Sequence, residues 1–301
     1  MLSESVLTAL QGLHEMQVLP ALQGLSWLPW FQWLHDAPML VAMRATEILF
    51  ALSLSIQTLE YLRMGSATAD HNFWSWQLQR ADIPNAAVRV VLDVLFRPTV
   101  HRLHLCMRLM AAVVLAVLGS SLPLMVFLFA GNLLILIRWR GAFNGGSDFM
   151  TLVVLTGLLM AQAVQALGDA HLAWQACFWY IAIQAITSYF MSGAVKLLRR
   201  EWRNGSAMTI FLNAAVYGPL SPRHLLRQRW LALLGSWSFI VWEILFPFSL
   251  IGPAVAFVFC TVAAVFHFLV FWFFGLNRFF WAWLCAFPAI LWCSTQFSTQ
   301  L

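Results

Sequence analysis

The chain has 301 residues, of which 61% are hydrophobic and 10% are charged, whereas about 25% of the residues of an ordinary soluble domain are charged. Twelve acidic and seventeen basic side chains are too few to keep a globule of this size in water, and a net charge of +5 is spread too thinly to follow a phosphate backbone. The composition therefore excludes a soluble enzyme, a disordered tail and a nucleic-acid-binding protein, and it predicts that the chain folds in a lipid bilayer.

The first 38 residues differ from the rest of the chain. They contain Trp27, Trp30 and Trp33 but no lysine or arginine. Because they lack the basic start of a secretory signal, residues 1–38 are predicted to form an interfacial N-terminal segment. Residues 39–301 are predicted to be a single transmembrane bundle, because no linker long enough to separate two domains interrupts them.

Long unbroken apolar runs in this bundle predict helices, since the strands of a membrane barrel would alternate in segments of about ten residues. The predicted fold class is an all-α integral membrane protein of about eight transmembrane helices with amphipathic interfacial helices. The predicted spans are 39–62, 103–119, 121–138, 149–168, 171–197, 231–251, 253–275 and 277–294.

The segment 63–102 follows the first span and combines arginine with valine, leucine and tryptophan, so it is predicted to form amphipathic helices on the membrane surface. With eight spans, fifteen of the seventeen basic residues lie on one side of the membrane, and the other two, Arg44 and Arg108, lie within spans. The positive-inside rule assigns the basic side to the cytoplasm and both termini to the outside.

Ionisable side chains within spans are the first candidates for a site, because a charge at the bilayer centre costs about 2.5–3.5 kcal/mol on insertion scales. Arg44 and Glu47 lie three residues apart on one helical face, where they form either a structural ion pair or part of a site. Glu243 lies mid-span without a nearby base, so it must be protonated or paired with another helix. His101 and His104 have a spacing known from metal ligands, but without a third ligand no metal is expected.

Three further polar features lie in or beside spans. Lys196 closes the fifth span, where a lysine either extends to the interface or acts in a site. His267 lies mid-span among aromatic residues and is either hydrogen-bonded to another helix or part of a site. The sequence Asn-Gly-Gly-Ser-Asp at 144–148 is predicted to cap the fourth span with Ser147 or Asp148 as the N-cap residue. Its free N–H groups could also hold an anion or a polar ligand.

A motif covers the end of the fifth span and the residues that follow it, and it consists of Tyr189, Phe190, Gly193, Lys196, Leu197, Trp202, Gly205 and Met208. This series resembles the Y-F-x-x-G-x-x-K-L…W-x-x-G-x-x-M signature of the vitamin K-dependent gamma-glutamyl carboxylase superfamily, which includes the horizontally transferred transmembrane (HTTM) domain. Further landmarks occur in the family's order, namely Arg44, Asn144, Ser147, Glu243, His267 and Pro288. The chain is identified by this resemblance as a minimal, bacterial-type member.

The resemblance implies a chemistry for the lysine. In the carboxylase, the lysine that matches Lys196 acts as a base toward reduced vitamin K, which reacts with oxygen to give a stronger base that removes a proton beside a glutamate carboxylate. Lys196 and His267 are therefore the expected catalytic residues, and a vitamin K or menaquinone hydroquinone is the expected cofactor. The residues expected to bind it are Arg44, Asn144, Ser147, Asp148, Tyr189, Trp202 and Glu243. A lipid-embedded pocket favours the neutral amine that a general base requires.

Two departures from the family keep a second hypothesis open. Gly146 occupies the position of a histidine in the animal carboxylase, and the chain lacks the carboxylase's large extramembrane domain. The first hypothesis is an enzyme that modifies a peptide or a small substrate. The alternative is a non-catalytic membrane partner or binding module in the maturation or export of a secreted peptide.

The expected partners are the lipid bilayer and a peptide substrate or a soluble maturation protein. The expected location is a bacterial inner membrane. The family places the segment that matches Lys196 outside the cytoplasm, opposite to the positive-inside assignment, and both orientations stay open at this point.

Overall fold

The computed structural model of the chain describes residues 38–68, 72, 74–140, 144–216 and 228–298, and every regular element in these ranges is a helix. This confirms the all-α fold class. The chain divides into two compact units, Met1–Val41 and Ala42–Leu301. Only residues 38–41 of the first unit are described, so the predicted N-terminal interfacial segment lies, apart from residue 38, outside the described residues.

The α-helices are numbered in chain order. They are α1 (Pro38–Arg63), α2 (Trp76–Arg80), α3 (Ala86–Leu95), α4 (Pro98–Leu118), α5 (Leu122–Arg138), α6 (Ser147–Gln165), α7 (Ala170–Leu198), α8 (Arg200–Arg203), α9 (Ser206–Asn213), α10 (Arg229–Leu245), α11 (Pro253–Phe274), α12 (Asn277–Leu284) and α13 (Phe287–Ser298). Short 3₁₀ helices follow α1 at Met64–Thr68 and α10 at Phe246–Ile251.

Seven helical stretches are long and apolar enough to cross a membrane, and α5 is a further apolar helix of 17 residues. At 1.5 Å per residue α5 is about 26 Å long, slightly shorter than a hydrocarbon core of about 30 Å. Each of the eight predicted spans coincides with one of these stretches. Seven of the predicted spans correspond to long helical stretches, and the predicted span 121–138 corresponds to the shorter helix α5. The chain is an all-α integral membrane protein.

Because consecutive spans alternate in direction, α1, α5, α7 and α11 end at the same side of the membrane. The short helices α2, α3, α8 and α9 belong to this side. We call it the arginine-rich side, because its exposed arginines include Arg63, Arg97, Arg102, Arg199, Arg200 and Arg203.

Proline interrupts two of the spans. The α10 helix changes to a 3₁₀ helix at Phe246, because Pro247 has no N–H group for the carbonyl of Glu243, which accepts from the Phe246 N–H instead. Pro288 likewise cannot donate to the carbonyl of Leu284, where α12 ends. The 3₁₀ helix packs against α13, and Phe246 and Ser249 are its buried residues.

The short helices α2 and α3 are fastened together by charge and hydrogen bonds. Asn85 caps α3 by accepting from two backbone N–H groups of its first turn. The Asp93 carboxylate accepts from Nε and Nη2 of Arg80 at 2.7 and 2.8 Å and from the Trp76 indole at 2.8 Å. The valines of α3 remain exposed. This exposed apolar face is typical of an interfacial helix.

The hydrogen bonds from Arg80 and Trp76 lower the pKa of Asp93 to about 2. A carboxyl group with a lowered folded-state pKa stabilises the fold above its unfolded pKa and loses this contribution as the pH falls through the folded value. We therefore expect the α2–α3 contact to persist down to about pH 2. The ¹H–¹⁵N resonance of the Trp76 indole should titrate with that midpoint, and Asp93→Asn should abolish the titration. A midpoint of about 4, the ordinary aspartate value, would contradict the contact.

The close approach of α7 and α10 depends on glycine. A Cβ atom at Gly193 would lie 2.8 Å from the backbone nitrogen of Ile244 and 2.9 Å from the Cβ atom of Glu243. Gly205, with φ at +78°, would bring a Cβ atom within 2.8 Å of the backbone nitrogen of Leu233. Glycine at these positions lets the backbone of α10 lie directly against α7 and against the start of α9.

Candidate functional site

An ion pair between α7 and α10 is at the centre of the candidate site. Nζ of Lys196 lies 2.7 Å from Oε1 and 2.6 Å from Oε2 of Glu243, and it donates to Oγ of Ser192 at 2.5 Å. Ser192 in turn donates to Oε1 of Glu243 at 3.2 Å. The side chains of Lys196 and Glu243 are 16% and 3% exposed. Glu243 is thus paired across helices, and Lys196 points into the bundle instead of extending to the interface.

A tyrosine–histidine pair lies next to this ion pair. The hydroxyl oxygen of Tyr189 and Nε2 of His267 are 2.6 Å apart, and both side chains are buried. The Tyr189 ring stacks on Phe246 at a centroid distance of 4.0 Å, and the His267 ring stacks on Trp283 at 5.0 Å. Trp242 packs edge-on against Tyr189 and Phe246. We call these five residues the aromatic cluster; within it, His267 is hydrogen-bonded to another helix.

The ion pair and the aromatic cluster lie along one face of α7. Tyr189, Ser192 and Lys196 have the i, i+3, i+7 spacing that places side chains on the same side of a helix. Trp202 on α8 covers Nζ of Lys196, which lies 5.2 Å from the ring centroid in a cation–π contact. The predicted site residues that the structure brings together here are Tyr189, Lys196, Trp202, Glu243 and His267.

The N-terminus of α6 is capped by a different residue from the one predicted. Oδ1 of Asn144 accepts from the N–H groups of Gly146 and Ser147 at 2.8 and 3.1 Å, and the Asp148 carboxylate accepts from the Asn144 N–H at 2.8 Å. Ser147 or Asp148 as the N-cap residue is therefore wrong, because Gly146 takes the N-cap position and Asn144 supplies the side-chain oxygen. An asparagine amide readily reaches N–H groups two residues on. These N–H groups are occupied, so they are not free for an anion.

Asp148 connects this turn to a buried polar network. Its Oδ1 accepts from Nε2 of Gln57 at 3.1 Å and lies 3.9 Å from Nη1 of Arg278. Arg278 forms an ion pair with Glu60 at 3.0 Å and donates to the hydroxyl of Tyr61 at 2.8 Å. These contacts hold the start of α12 against α1 and α6.

The turn meets the aromatic cluster through Phe279 on α12. The Phe279 ring lies 5.0 Å from the His267 ring, centroid to centroid. A Cβ atom at Gly146 would lie 1.9 Å from a ring carbon of Phe279. The phenylalanine ring thus fills the space beside position 146, which accounts for glycine at this position. Asn144, Ser147 and Asp148 are therefore linked to the site through α12 and do not contact Lys196 directly.

Arg44 belongs to a separate cluster. It forms the predicted ion pair with Glu47 and donates to the carbonyl of Ala116 at 2.7 Å. Glu47 accepts from the backbone N–H and the hydroxyl of Ser120 at 2.8 and 2.5 Å, and the hydroxyl of Ser120 also accepts from Gln162 at 2.8 Å. This cluster joins the beginning of α1 to the ends of α4 and α6, at the side opposite to the arginine-rich side.

The separation of Arg44 from Lys196 follows from the helix directions. The α7 helix begins at Ala170 on the side of the Arg44 cluster, and Lys196 lies 26 residues further along it. Twenty-six residues correspond to about 39 Å of helix. Arg44 and Lys196 therefore lie toward opposite ends of the bundle, and the expected role of Arg44 in binding a hydroquinone stays a prediction.

Sequence reasoning missed four residues that surround Lys196 and His267. Ser192 lies one helical turn before Lys196, and this i, i+4 spacing was the only signal available for it. Trp242, Phe246 and Trp283 had no distinguishing signal, because the chain contains 16 tryptophans and 25 phenylalanines.

The fold and the site define a class of protein, a multi-pass α-helical membrane protein with a mostly buried lysine–glutamate pair beside an aromatic cluster. Comparisons with protein-family models, curated proteins and solved structures found no match for this chain.

Proposed function

We propose that this protein is an integral membrane enzyme, similar to the HTTM and vitamin K-dependent carboxylase superfamily, that acts in a bacterial inner membrane. It uses a lipophilic hydroquinone with Lys196 as the base to modify a peptide or a small substrate. The observation that carries the proposal is the mostly buried amine of Lys196, which contacts a carboxylate and lies beside an aromatic cluster.

Lysine acts as a base only as the neutral amine, so its proton needs an acceptor. Both oxygens of Glu243 lie within 2.7 Å of Nζ, so a proton can pass to the carboxylate without movement of the backbone. Proton transfer within the pair would leave a neutral amine on Lys196 and a neutral acid on Glu243. Ser192 contacts both groups and holds Nζ in place during this exchange.

The aromatic cluster supports a hydroquinone as the lipophilic ligand. Three buried polar atoms of its own residues have no hydrogen-bond partner within the described residues, namely Nδ1 of His267, Nε1 of Trp242 and Nε1 of Trp283. Leaving such an atom unpaired costs about 1–3 kcal/mol. A flat ring with oxygen substituents would satisfy such donors and stack on the aromatic side chains. When bound, a hydroquinone supplies reducing equivalents and, with oxygen, a base strong enough to remove a carbon-bound proton.

The second candidate function is a non-catalytic membrane partner or binding module for a secreted peptide. The observation that favours it is the complete internal pairing of Lys196, whose ammonium group has Glu243, Ser192 and the Trp202 ring as partners. A lysine satisfied in this way stabilises the contact between α7 and α10 without any ligand.

Oxygen consumption with a reduced quinone distinguishes the two functions. We expect purified wild-type protein to consume oxygen in the presence of a lipophilic hydroquinone, and we expect Lys196→Ala and Lys196→Arg to lose about 10²–10⁴-fold of this rate, as for removal of a general base. Arg199→Ala is the matched control, because Arg199 is exposed just beyond the end of α7. Unchanged turnover in both Lys196 variants would contradict the catalytic role, and an inactive wild type would favour the second candidate.

A further inference from the structure

The short helix α12 is fastened at its start by a group of polar side chains outside the lysine–glutamate pair. Nε of Arg278 lies 3.0 Å from Oε2 of Glu60, and its Nη1 donates to the hydroxyl of Tyr61 at 2.8 Å. The same guanidinium lies 5.1 Å from the centroid of the Tyr61 ring and 3.9 Å from Oδ1 of Asp148. Nδ2 of Asn277 donates to Oε1 of Glu60 at 3.1 Å. We call these five residues the polar clamp.

The polar clamp joins three helices that are far apart in the sequence. Glu60 and Tyr61 lie in the last turn of α1, Asp148 lies in the first turn of α6, and α12 begins at Asn277. The α12 helix has only eight residues and follows Gly275, where α11 ends with φ at +68°. A helix of about two turns has little stability of its own. Its position therefore depends on what its side chains contact.

Another face of α12 forms one wall of the aromatic cluster. Phe279 and Trp283 are four residues apart, so they lie on the same face of the helix. The His267 ring lies 5.0 Å from each of their rings, edge-on to Phe279 and stacked on Trp283. Trp283 also contacts the Tyr189 ring at 4.7 Å. Because Phe279 directly follows Arg278 in the chain, a shift at the start of α12 would move both rings relative to His267.

The charges of the clamp depend on Arg278. Among the described residues, it is the one cation within 4.0 Å of the carboxylates of Glu60 and Asp148, whose side chains are 32% and 3% exposed. Removing one partner of a buried ion pair leaves the other charge uncompensated. The α12 helix packs mainly against α11 and α6, and its hydrogen bonds to α1 come from Asn277 and Arg278. Loss of the guanidinium should therefore loosen α12 from α1.

We propose that Arg278 is a positioning residue for the hydroquinone site. Through α12 it fixes Trp283 beside His267, two side chains whose rings and unpartnered nitrogens are available to the ligand. This inference rests on the proposed function, because it concerns how that ligand is held. Lys196 and Glu243 lie on α7 and α10, whereas the clamp residues lie on α1, α6 and α12. Loss of the clamp should therefore weaken ligand binding more than the chemical step.

The position of His267 can be measured without a ligand. In the full-length protein labelled with ¹³C at histidine Cε1, the ¹H–¹³C resonance that disappears in His267→Gln belongs to His267. The stacked Trp283 ring should shift this proton upfield. Arg278→Met should move the resonance toward that of an exposed histidine. Arg278→Lys keeps a charge within reach of Glu60, so it should retain most of the upfield shift.

Arg80→Met is the matched control for this measurement. It removes the ion pair with Asp93, which is exposed to a similar extent as the pair of Arg278 with Glu60 but lies between α2 and α3. The His267 resonance should not move in this variant. If Arg278→Met does not fold, Glu60→Gln decides the question, because it removes only the carboxylate charge and should move the resonance in the same direction. An unchanged resonance in the deciding variant would overturn the proposal.

Oxygen consumption with vitamin K hydroquinone as the probe gives the second readout. Arg278→Met should raise KM for the hydroquinone about tenfold, the size expected for one lost aromatic contact, with kcat little changed. Arg80→Met should change neither constant. An unchanged KM in Arg278→Met would overturn the proposal. A wild-type protein without turnover would contradict the proposed function instead, and the His267 resonance would then decide by itself whether the clamp positions this ring.

Discussion

Lys196→Met is expected to destabilise the protein by about 3–5 kcal/mol, because removing one partner of a buried ion pair leaves the other charge unpaired. Glu243 would keep its 3% side-chain exposure, with Ser192 as its remaining hydrogen-bond donor among the described residues. Methionine preserves the aliphatic packing of the lysine stem. Titration of the purified protein with SDS in mixed micelles measures the change in free energy of unfolding, and Arg203→Met at an exposed position is the control.

The double variant Lys196→Met/Glu243→Leu separates stability from catalysis. Replacing both charges of a buried pair with apolar side chains is often neutral, so this variant should recover most of the stability that Lys196→Met loses. It should nevertheless show no hydroquinone-dependent oxygen consumption. A double variant as unstable as Lys196→Met would show that the unpaired carboxylate of Glu243 is not the cause of the loss.

Gly193→Ala is expected to destabilise the protein by about 1–3 kcal/mol, the usual cost of overpacking a buried contact. The added Cβ atom would lie 2.8 Å from the backbone nitrogen of Ile244, which moves only if α10 moves. Gly235→Ala is a matched control, since it also lies in a membrane-spanning helix but its Cβ atom would be 3.6 Å from Cε of Met208. Alanine should stabilise that position by up to about 1 kcal/mol through helix propensity.

The two glycine variants should also differ in activity. Displacement of α10 by the added methyl group would separate Lys196 from Glu243, because Gly193 lies one turn before Lys196 and its Cβ position is 2.9 Å from the Cβ atom of Glu243. Gly193→Ala should therefore lose hydroquinone turnover, and Gly235→Ala should keep it. Melting curves and oxygen consumption measured on the same preparations test both effects. Equal stability of the two variants would contradict a close contact between α7 and α10.

Much of the fold was predictable from apolar runs. A membrane-spanning helix needs about 20 consecutive apolar residues, and such runs are visible without knowledge of their neighbours. The eight predicted spans accordingly match the helical stretches of the structure. The helix ends were less predictable, because Asn144 and not Ser147 or Asp148 supplies the capping oxygen of α6.

The polar candidates were also visible, but their partners were not. Arg44 and Glu47 pair within one helix, where a spacing of three residues predicts contact. Lys196 and Glu243 are 47 residues apart, and Tyr189 and His267 are 78 residues apart. No spacing rule connects such pairs, since contact depends on which helices are neighbours in the bundle.

The sequence by itself determined that this protein folds in a membrane. It also determined the order of the apolar helices and which polar residues lie within them. A charged or polar residue in a long apolar run is conspicuous because burial in lipid is costly. Only the tertiary structure decided that Lys196 meets Glu243, that His267 meets Tyr189, and that Arg44 lies at the opposite side of the membrane. Helix association in lipid depends on close van der Waals contact at residues such as Gly193, and hydrophobic periodicity does not identify the partner helix.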